Sequence, residues 1–351
     1  MLRFVKRDEI SKSKSITIKI LAVILALLVS SIFIIFMKKN PIDVYLSMFK
    51  GAFGSPYSIR ETIKLAIPLC ITALGVAVAF KMQFWNIGAE GQIMMGAFTA
   101  SLLALKFAAL PRPLLLLLMI IAGIIGGSLW ALVPAIFKSK WGTNETIVTL
   151  MMNYIAIKWV TYLQYGPLKD TKAKGFAKIA NFTENATLPE IFKVHIGWIF
   201  ALILVAFIYI FMKYTKKGYE IAVLGESEKT ALYSGVNIKK TIIISILLSG
   251  GLCGLVGMIQ VSGISGTLSA NVSGGVGFTA IIVAWLGSLS APIILVVSIL
   301  FAGLKQGGSF IQSSFGIPDS AALIIQAMIL FFVLGSEFFV KFKIDKKVGD
   351  V

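Results

Sequence analysis

Charge is scarce in this chain. Asp, Glu, Lys and Arg make up 14% of its 351 residues, apolar residues make up 57%, and the mean hydropathy is +0.89. A soluble globular domain of this length would not reach such values, so that class is excluded and a polytopic membrane protein is indicated. Histidine is all but missing. The single one, His195, has no carboxylate or cysteine near it in sequence, which excludes a local histidine relay and favours an interfacial residue over a ligand. The two cysteines, Cys70 and Cys253, lie in separate apolar runs. No CxxC pair, disulfide framework or metal-ligand spacing exists, and both read as small buried hydrophobes. A phosphate-cradling GxxxxGK[ST] loop is absent too, since the nearest text, 303–309, lacks its lysine; the chain therefore cannot hydrolyse ATP alone. Acidic residues number 16 against 33 basic ones, a net charge of +17. The lysines flank apolar runs, where they orient a chain against a membrane, and no basic stripe interleaved with aromatics points to nucleic acid.

What is present is a succession of apolar runs. Ten candidate spans emerge, at 16–37, 63–80, 92–109, 113–137, 146–165, 195–213, 240–262, 274–289, 291–308 and 320–340. Runs near 20 residues cross a bilayer as helices, which satisfy every backbone group internally. The fold class expected is all-α, a single transmembrane domain over 1–351. The third, eighth and ninth runs are short. The first follows the basic residues Lys6, Arg7, Lys12 and Lys14 but lacks a small-residue cleavage site, and reads as a retained span. An even count puts both ends on one side, and both are basic: Arg3 to Lys14 at the start, and Lys341, Lys343, Lys346 and Lys347 at the finish. That side is read as cytoplasmic. The 213–240 loop then lies inside and the 166–194 connection outside. This outer connection is polar, with an ending suited to a short surface helix, and serves either as a receptor contact or as a linker.

Glycine-containing breaks interrupt the runs at 86–91 and at 262–277. They occupy matching positions in two four-span halves, about 63–165 and 240–340, of opposite orientation. Such a pairing points to an inverted repeat with a pathway at its interface. Glycines that merely let helices approach closely would look the same. The first break, in FWNIGAEGQ at 84–92, gathers Asn86, Glu90 and Gln92 at the bilayer edge, where a carboxyl group needs partners or water. Asn86 is placed to cap a helix starting near Ile87, with Glu90 in its first turn. These three residues either gate or line a pathway, or simply cap a half-helix. Glu145 stands at a boundary beside Asn144, which is placed to cap the fifth span. Ionisable groups are otherwise rare within the spans, which counts against a proton- or sodium-coupled carrier.

The stretch 218–235, GYEIAVLGESEKTALYSG, is built differently. Ser227 is placed to cap a short helix running to Ser234, and Gly235 supplies a left-handed end. Glu226, Glu228 and Lys229 alternate with Ala231, Leu232 and Tyr233, a polar-rimmed apolar knob suited to a partner's groove. A plain connecting loop is the alternative.

Three segments together resemble a known family: NIGAEGQ at 86–92 with Met95-Gly96-Ala97; 218–235 followed by Ser249-Gly250 and Gly254-Leu255-Val256-Gly257; and GFTAIIVAWLG at 277–287. In order and spacing they resemble permease subunits of bacterial ATP-binding-cassette importers, in the nucleoside and simple-sugar branch of the branched-chain amino acid and ribose permease superfamily. The resemblance implies a non-catalytic, multi-pass subunit of a bacterial cell membrane, binding no cofactor itself. Its implied partners are a cytoplasmic ATPase that carries the ATP, a second permease subunit and an extracellular solute-binding lipoprotein, all in a lipid bilayer. It also implies that 218–235 is a coupling helix seated in the ATPase, with Gly218, Gly225, Glu226, Ser227, Ala231, Tyr233 and Gly235 at the contact. Two positions depart from the pattern: Ala222 stands where an arginine is usual, and Ser227 where an asparagine is usual. The implied cargo is a nucleoside, or alternatively a simple sugar such as ribose or galactose; a secondary carrier is the competing class.

Overall fold

The structure, a computed structural model, describes residues 2–6, 11–171, 173, 175 and 177–346. Arg7 and Lys347, counted among the basic ends, lie outside the described residues. In chain order, β1 (Leu2–Lys6), α1 (Lys12–Phe36) and α2 (Pro41–Phe53) lead into α3 (Pro56–Lys81), α4 (Ala89–Lys106), α5 (Arg112–Trp141) and α6 (Glu145–Tyr165). A connection with a 3-10 turn at Glu184–Ala186 and a small hairpin, β2 (Glu190–Ile191) with β3 (Val194–His195), precedes α7 (Gly197–Tyr214). Two short helices, α8 (Lys216–Glu226) and α9 (Glu228–Tyr233), then lead to α10 (Ile238–Gln260), which ends in a π turn at Val261–Ser265. The chain closes with α11 (Val276–Leu286), α12 (Ala291–Phe315), α13 (Asp319–Lys341) and β4 (Phe342–Lys346).

Contacts divide the chain into two units, Met1–Thr62 with Gly303–Val351, and Ile63–Ala302. In the first, β1 pairs antiparallel with β4, Leu2 opposite Lys346. The expected first span, 16–37, is α1, and a bend of 112° separates it from α2. Lys38 takes a left-handed φ of 57° at this corner, and the Asn40 side chain caps α2, accepting from the Ile42 amide at 3.0 Å ahead of Pro41.

In the second unit, α4, α5 and α10 pack backbone to backbone. A Cβ placed on Gly254 of α10 would lie 2.1 Å from the Gly123 oxygen of α5, and one on Gly257 would lie 2.1 Å from the Ile93 oxygen of α4. Only glycine permits such approach, and dispersion between the touching helices replaces the hydrophobic drive that a bilayer does not supply.

Among the described residues, six helices are long and apolar enough to cross a membrane, or seven if the bent α1–α2 pair counts as one span. The chain is therefore a multi-pass helical membrane protein. The eighth expected span, 274–289, is corrected: only the 11 residues of α11 are helical, about 16 Å at 1.5 Å per residue, roughly half a hydrocarbon core. The ninth is longer than its apolar run, because α12 continues to Phe315.

Candidate functional site

The first break follows the end of α3. Gln83 adopts a left-handed φ of 59°, and its backbone amide and that of Phe84 turn back onto Phe80 and Ala79. Asn86 was expected to cap the next helix. Instead Gly88 occupies the cap position of α4, and Asn86 closes the turn before it by accepting from the Gly88 amide at 3.1 Å. The Asn86 side chain also pairs face to face with Gln92: Asn86 Nδ2 donates to Gln92 Oε1 at 3.2 Å, and Gln92 Nε2 donates to Asn86 Oδ1 at 3.0 Å. A further bond from Asn86 Nδ2 reaches Ser249 Oγ on α10 at 3.1 Å. Both amides are buried, and their mutual bonding removes the desolvation cost of lone polar groups. Asn153 of α6 clamps the break from the other side, accepting from the Gly91 amide at 2.7 Å and donating to the Ile87 carbonyl at 2.8 Å. Glu145, after the expected Asn144 cap, pairs with Lys138 at 2.9 Å and accepts from the Trp85 amide at 3.4 Å.

Glu90 joins this break to the second one. It lies in the first turn of α4 and is buried, yet its side chain reaches the start of α11, accepting from the Gly275 amide at 3.0 Å and the Gly277 amide at 2.7 Å. The first amides of a helix have no intrahelical partner and carry the positive end of its dipole, so a carboxyl group is well matched to them. Gly274 and Gly275 take left-handed φ values of 54° and 74° to present these amides. At Gly277 a Cβ would lie 2.4 Å from the Glu90 nitrogen. The two glycine breaks therefore meet, and Glu90 is the bolt between them.

The 218–235 stretch folds as two helices meeting at a corner. Thr215 caps α8, accepting from the Gly218 amide at 3.1 Å; Ser227 caps α9 as expected, accepting from Thr230 at 3.4 Å; and Gly235 follows with φ of 73°. At the corner, Gly225 sits so close to the end of α3 that a Cβ would lie 2.0 Å from the Lys81 oxygen, and Gln83 Nε2 donates to the Gly225 carbonyl at 2.6 Å. Gly218 is pressed against the Phe211 carbonyl in the same way. Glu220 is held below the ordinary carboxyl range by the bond from Lys217 at 2.5 Å, aided by Thr241 at 3.1 Å. Of the three apolar members of the expected knob, Leu232 and Tyr233 are 62% and 91% exposed, while Ala231 is buried. Glu226 and Glu228 border a polar cavity of about 260 Å³ that Met82, Gln83 and Lys138 also line.

At the far end of α7, the 166–196 connection covers the second break. Its described residues form a 3-10 turn and a hairpin where a surface helix was expected. Backbone bonds run from Phe182 to Gly266 at 2.8 Å and from Leu188 to Ser262 at 3.0 Å, and Thr267 Oγ1 donates to Ile179 at 2.9 Å. His195, expected at a membrane boundary, stands just before α7 and is 1% exposed, and among the described residues neither ring nitrogen has a partner. Burial, with the Lys64 charge adding to it, pushes its pKa down to about 4. Gly197 and Gly263 leave room for the ring.

Asn86, Glu90 and Gln92 are thus brought into one network, whereas the 218–235 residues form a separate surface reached through Gln83. Sequence reasoning missed Gln83 and Asn153; an asparagine within the apolar run 146–165 was the available signal for the latter. Among the described residues no cluster could hold a metal ion.

Residues 58–334 match the family model described as "Branched-chain amino acid transport system / permease component". The chain is 32% identical over 338 residues to the glucose ABC transporter permease protein TsgB13 of Haloferax volcanii, spanning 93% of this chain and 88% of that protein. It is 32% identical over 334 residues to the nucleoside ABC transporter permease protein NupB of Lactococcus lactis, covering 92% of each. With the guanosine ABC transporter permease protein NupP of Bacillus subtilis it shares 30% identity over 351 residues, 96% of this chain and 99% of that one. A family match across most of the chain, with a membrane-crossing helical body, places it plainly: it belongs to the branched-chain amino acid transport system permease family, the non-catalytic membrane components of ABC transporters.

Proposed function

We propose that this chain is the permease subunit of an ATP-driven importer that carries a nucleoside handed over by an extracellular solute-binding protein. The reading is carried by similarity along nearly the whole chain to two permeases named for a nucleoside and for guanosine. A simple sugar is the second reading, favoured by the equally similar glucose permease. The ATPase supplies the energy, and a second permease, either another copy or a related chain, completes the membrane part.

In this reading α8–α9 is the coupling segment and faces the cytoplasm of a bacterial cell, as do both chain ends. Leu232 and Tyr233, exposed beside the exposed Glu226, offer the apolar-and-acidic surface to the ATPase. Gly218, Gly225, Ser227, Ala231 and Gly235 shape that surface from within. The two breaks are the movable centre of an inverted repeat, in which the turns of residues 266–275 and α11 together make one broken crossing and complete a set of ten. Asn86, Glu90 and Gln92 act as a gate rather than as solute contacts, because their polar groups are engaged with one another and with α10 and α11.

The test is uptake of a radiolabelled nucleoside into proteoliposomes holding the permease, its ATPase and its binding protein. Uptake is expected to stop when ATP hydrolysis is blocked, and excess glucose is expected not to compete. Uptake that survives that block but collapses with the proton gradient would overturn the importer reading; competition by glucose would transfer the assignment to sugars.

A further inference from the structure

We propose that Gln83 is the positioning residue through which movement of the α8–α9 segment reaches the paired helix breaks, an inference that rests on the transport reading above. The corner between α8 and α9 is seated on the end of α3, with no room for a side chain between Gly225 and the Lys81 oxygen. In the last turn of a helix the carbonyls lack intrahelical donors. The Gly225 carbonyl belongs to that turn of α8, and Gln83 Nε2 supplies the missing donor at 2.6 Å. Gln83 does this from a left-handed backbone conformation, uncommon for a residue with a side chain.

Residues 84–88, between Gln83 and α4, have no helical ladder to stiffen them. The Asn86 and Ile87 amides bond only two residues back, to Phe84 and Trp85. Within the next few residues, however, side chains fasten this pliable segment to the rest of the unit. Asn86 holds Ser249 of α10, Asn153 of α6 holds the Ile87 carbonyl and Gly91 amide, and Glu90 holds the amides that start α11. Displacing the Gly225 carbonyl therefore pulls on Gln83, and the strain is delivered to Asn86 and Glu90 rather than being absorbed in a helix. From there it bears on α11. The Lys138–Glu145 pair, which holds the Trp85 amide, anchors the segment from the ends of α5 and α6.

The variants to make are Gln83→Glu, which keeps the length but presents no donor to the carbonyl, and Gln83→Ala. Each is reconstituted in the complete complex with ATPase, partner permease and binding protein, and nucleoside uptake is measured per ATP hydrolysed. That ratio is expected to fall about three- to ten-fold, the reach of one hydrogen bond, while co-purification and ATP hydrolysis stay within about two-fold of wild type. Uptake and hydrolysis falling together, or an unchanged ratio, would overturn the proposal. A second measurement needs no transported solute, and so separates failure of this inference from failure of the nucleoside reading. Hydrogen exchange at amides 84–92 is followed with and without ATP in the complex: wild type is expected to change, and Gln83→Glu is expected not to. Equal behaviour of the two proteins, changing or not, would sink the idea.

Discussion

Two regions of the second unit are rich in glycine, and they use it for opposite purposes. In the seam of α4, α5 and α10, the missing Cβ lets backbones touch: on Gly127 it would lie 2.3 Å from the Gly250 oxygen, and on Gly96 the same distance from the Gly254 Cα. The helices run through this seam uninterrupted, and nothing there is free to rearrange without opening a void. At the junction of the two breaks, Gly88 caps α4, and Gly274 and Gly275 turn the chain left-handed so that amides face Glu90. The seam is held mainly by shape, with bonds such as Ser128 Oγ to the Leu247 carbonyl added to it, and the junction mainly by directed bonds. Shape fails all at once when one methyl is added, whereas a bonded junction can be released and remade, which is what a gate requires.

Four changes test this contrast, from the largest effect to the smallest. Gly254→Ala forces a methyl 2.1 Å from the Gly123 oxygen and is expected to destabilise the unit by about 3 kcal/mol or more, read as loss of monodisperse protein on size-exclusion chromatography. A normal elution profile would mean that the seam is not rigid. Acid should act on the far side of the junction through His195. His195 has its pKa lowered from 6.5 to about 4, so its contribution is fully present above pH 6.5 and is lost as pH falls toward 4, by about 3 kcal/mol at most. Melting curves across that window should steepen their pH dependence there, and His195→Phe should flatten it; an unchanged slope would refute the assignment.

Glu90→Gln leaves one acceptor oxygen where two amides need one each, and turns an N–H group toward a donor, at an expected cost of about 2 kcal/mol. Hydrogen exchange should rise at 266–277 and stay unchanged in α10. Faster exchange throughout α10 would erase the distinction between the two regions. Ser227→Ala is expected to cost about 1 kcal/mol, confined to α9, with faster proteolysis near 227–235 and unaltered melting of the spans.

Several features were legible because they are local. The caps at Asn144 and Ser227 bond amides two or three residues away, and the left-handed Gly235 comes directly after α9, so spacing alone identified them. Where the decisive partner lay elsewhere, spacing misled. Asn86 had the right offset for a cap, yet Gln92 and Ser249 claim its side chain, and the helix begins two residues later than expected. For α11 the apolar run was real, but the glycines before it serve Glu90 and leave only 11 helical residues. The burial of the His195 ring could not be read from its place at a run boundary, because it comes from the fold that sets it against Gly263.

Composition and apolar periodicity were enough to establish a helical membrane protein, because hydrophobic length is a property of the chain read in order. They could not distinguish glycines of the seam from glycines of the junction, since the residue is the same and only its neighbour differs. Glu90 shows this most clearly. Its need for a partner could be read from a carboxyl group beside apolar runs, but its partners, the Gly275 and Gly277 amides, lie 185 and 187 positions away. Folding alone brings them within reach, because a hydrogen bond depends on distance in space and not along the chain.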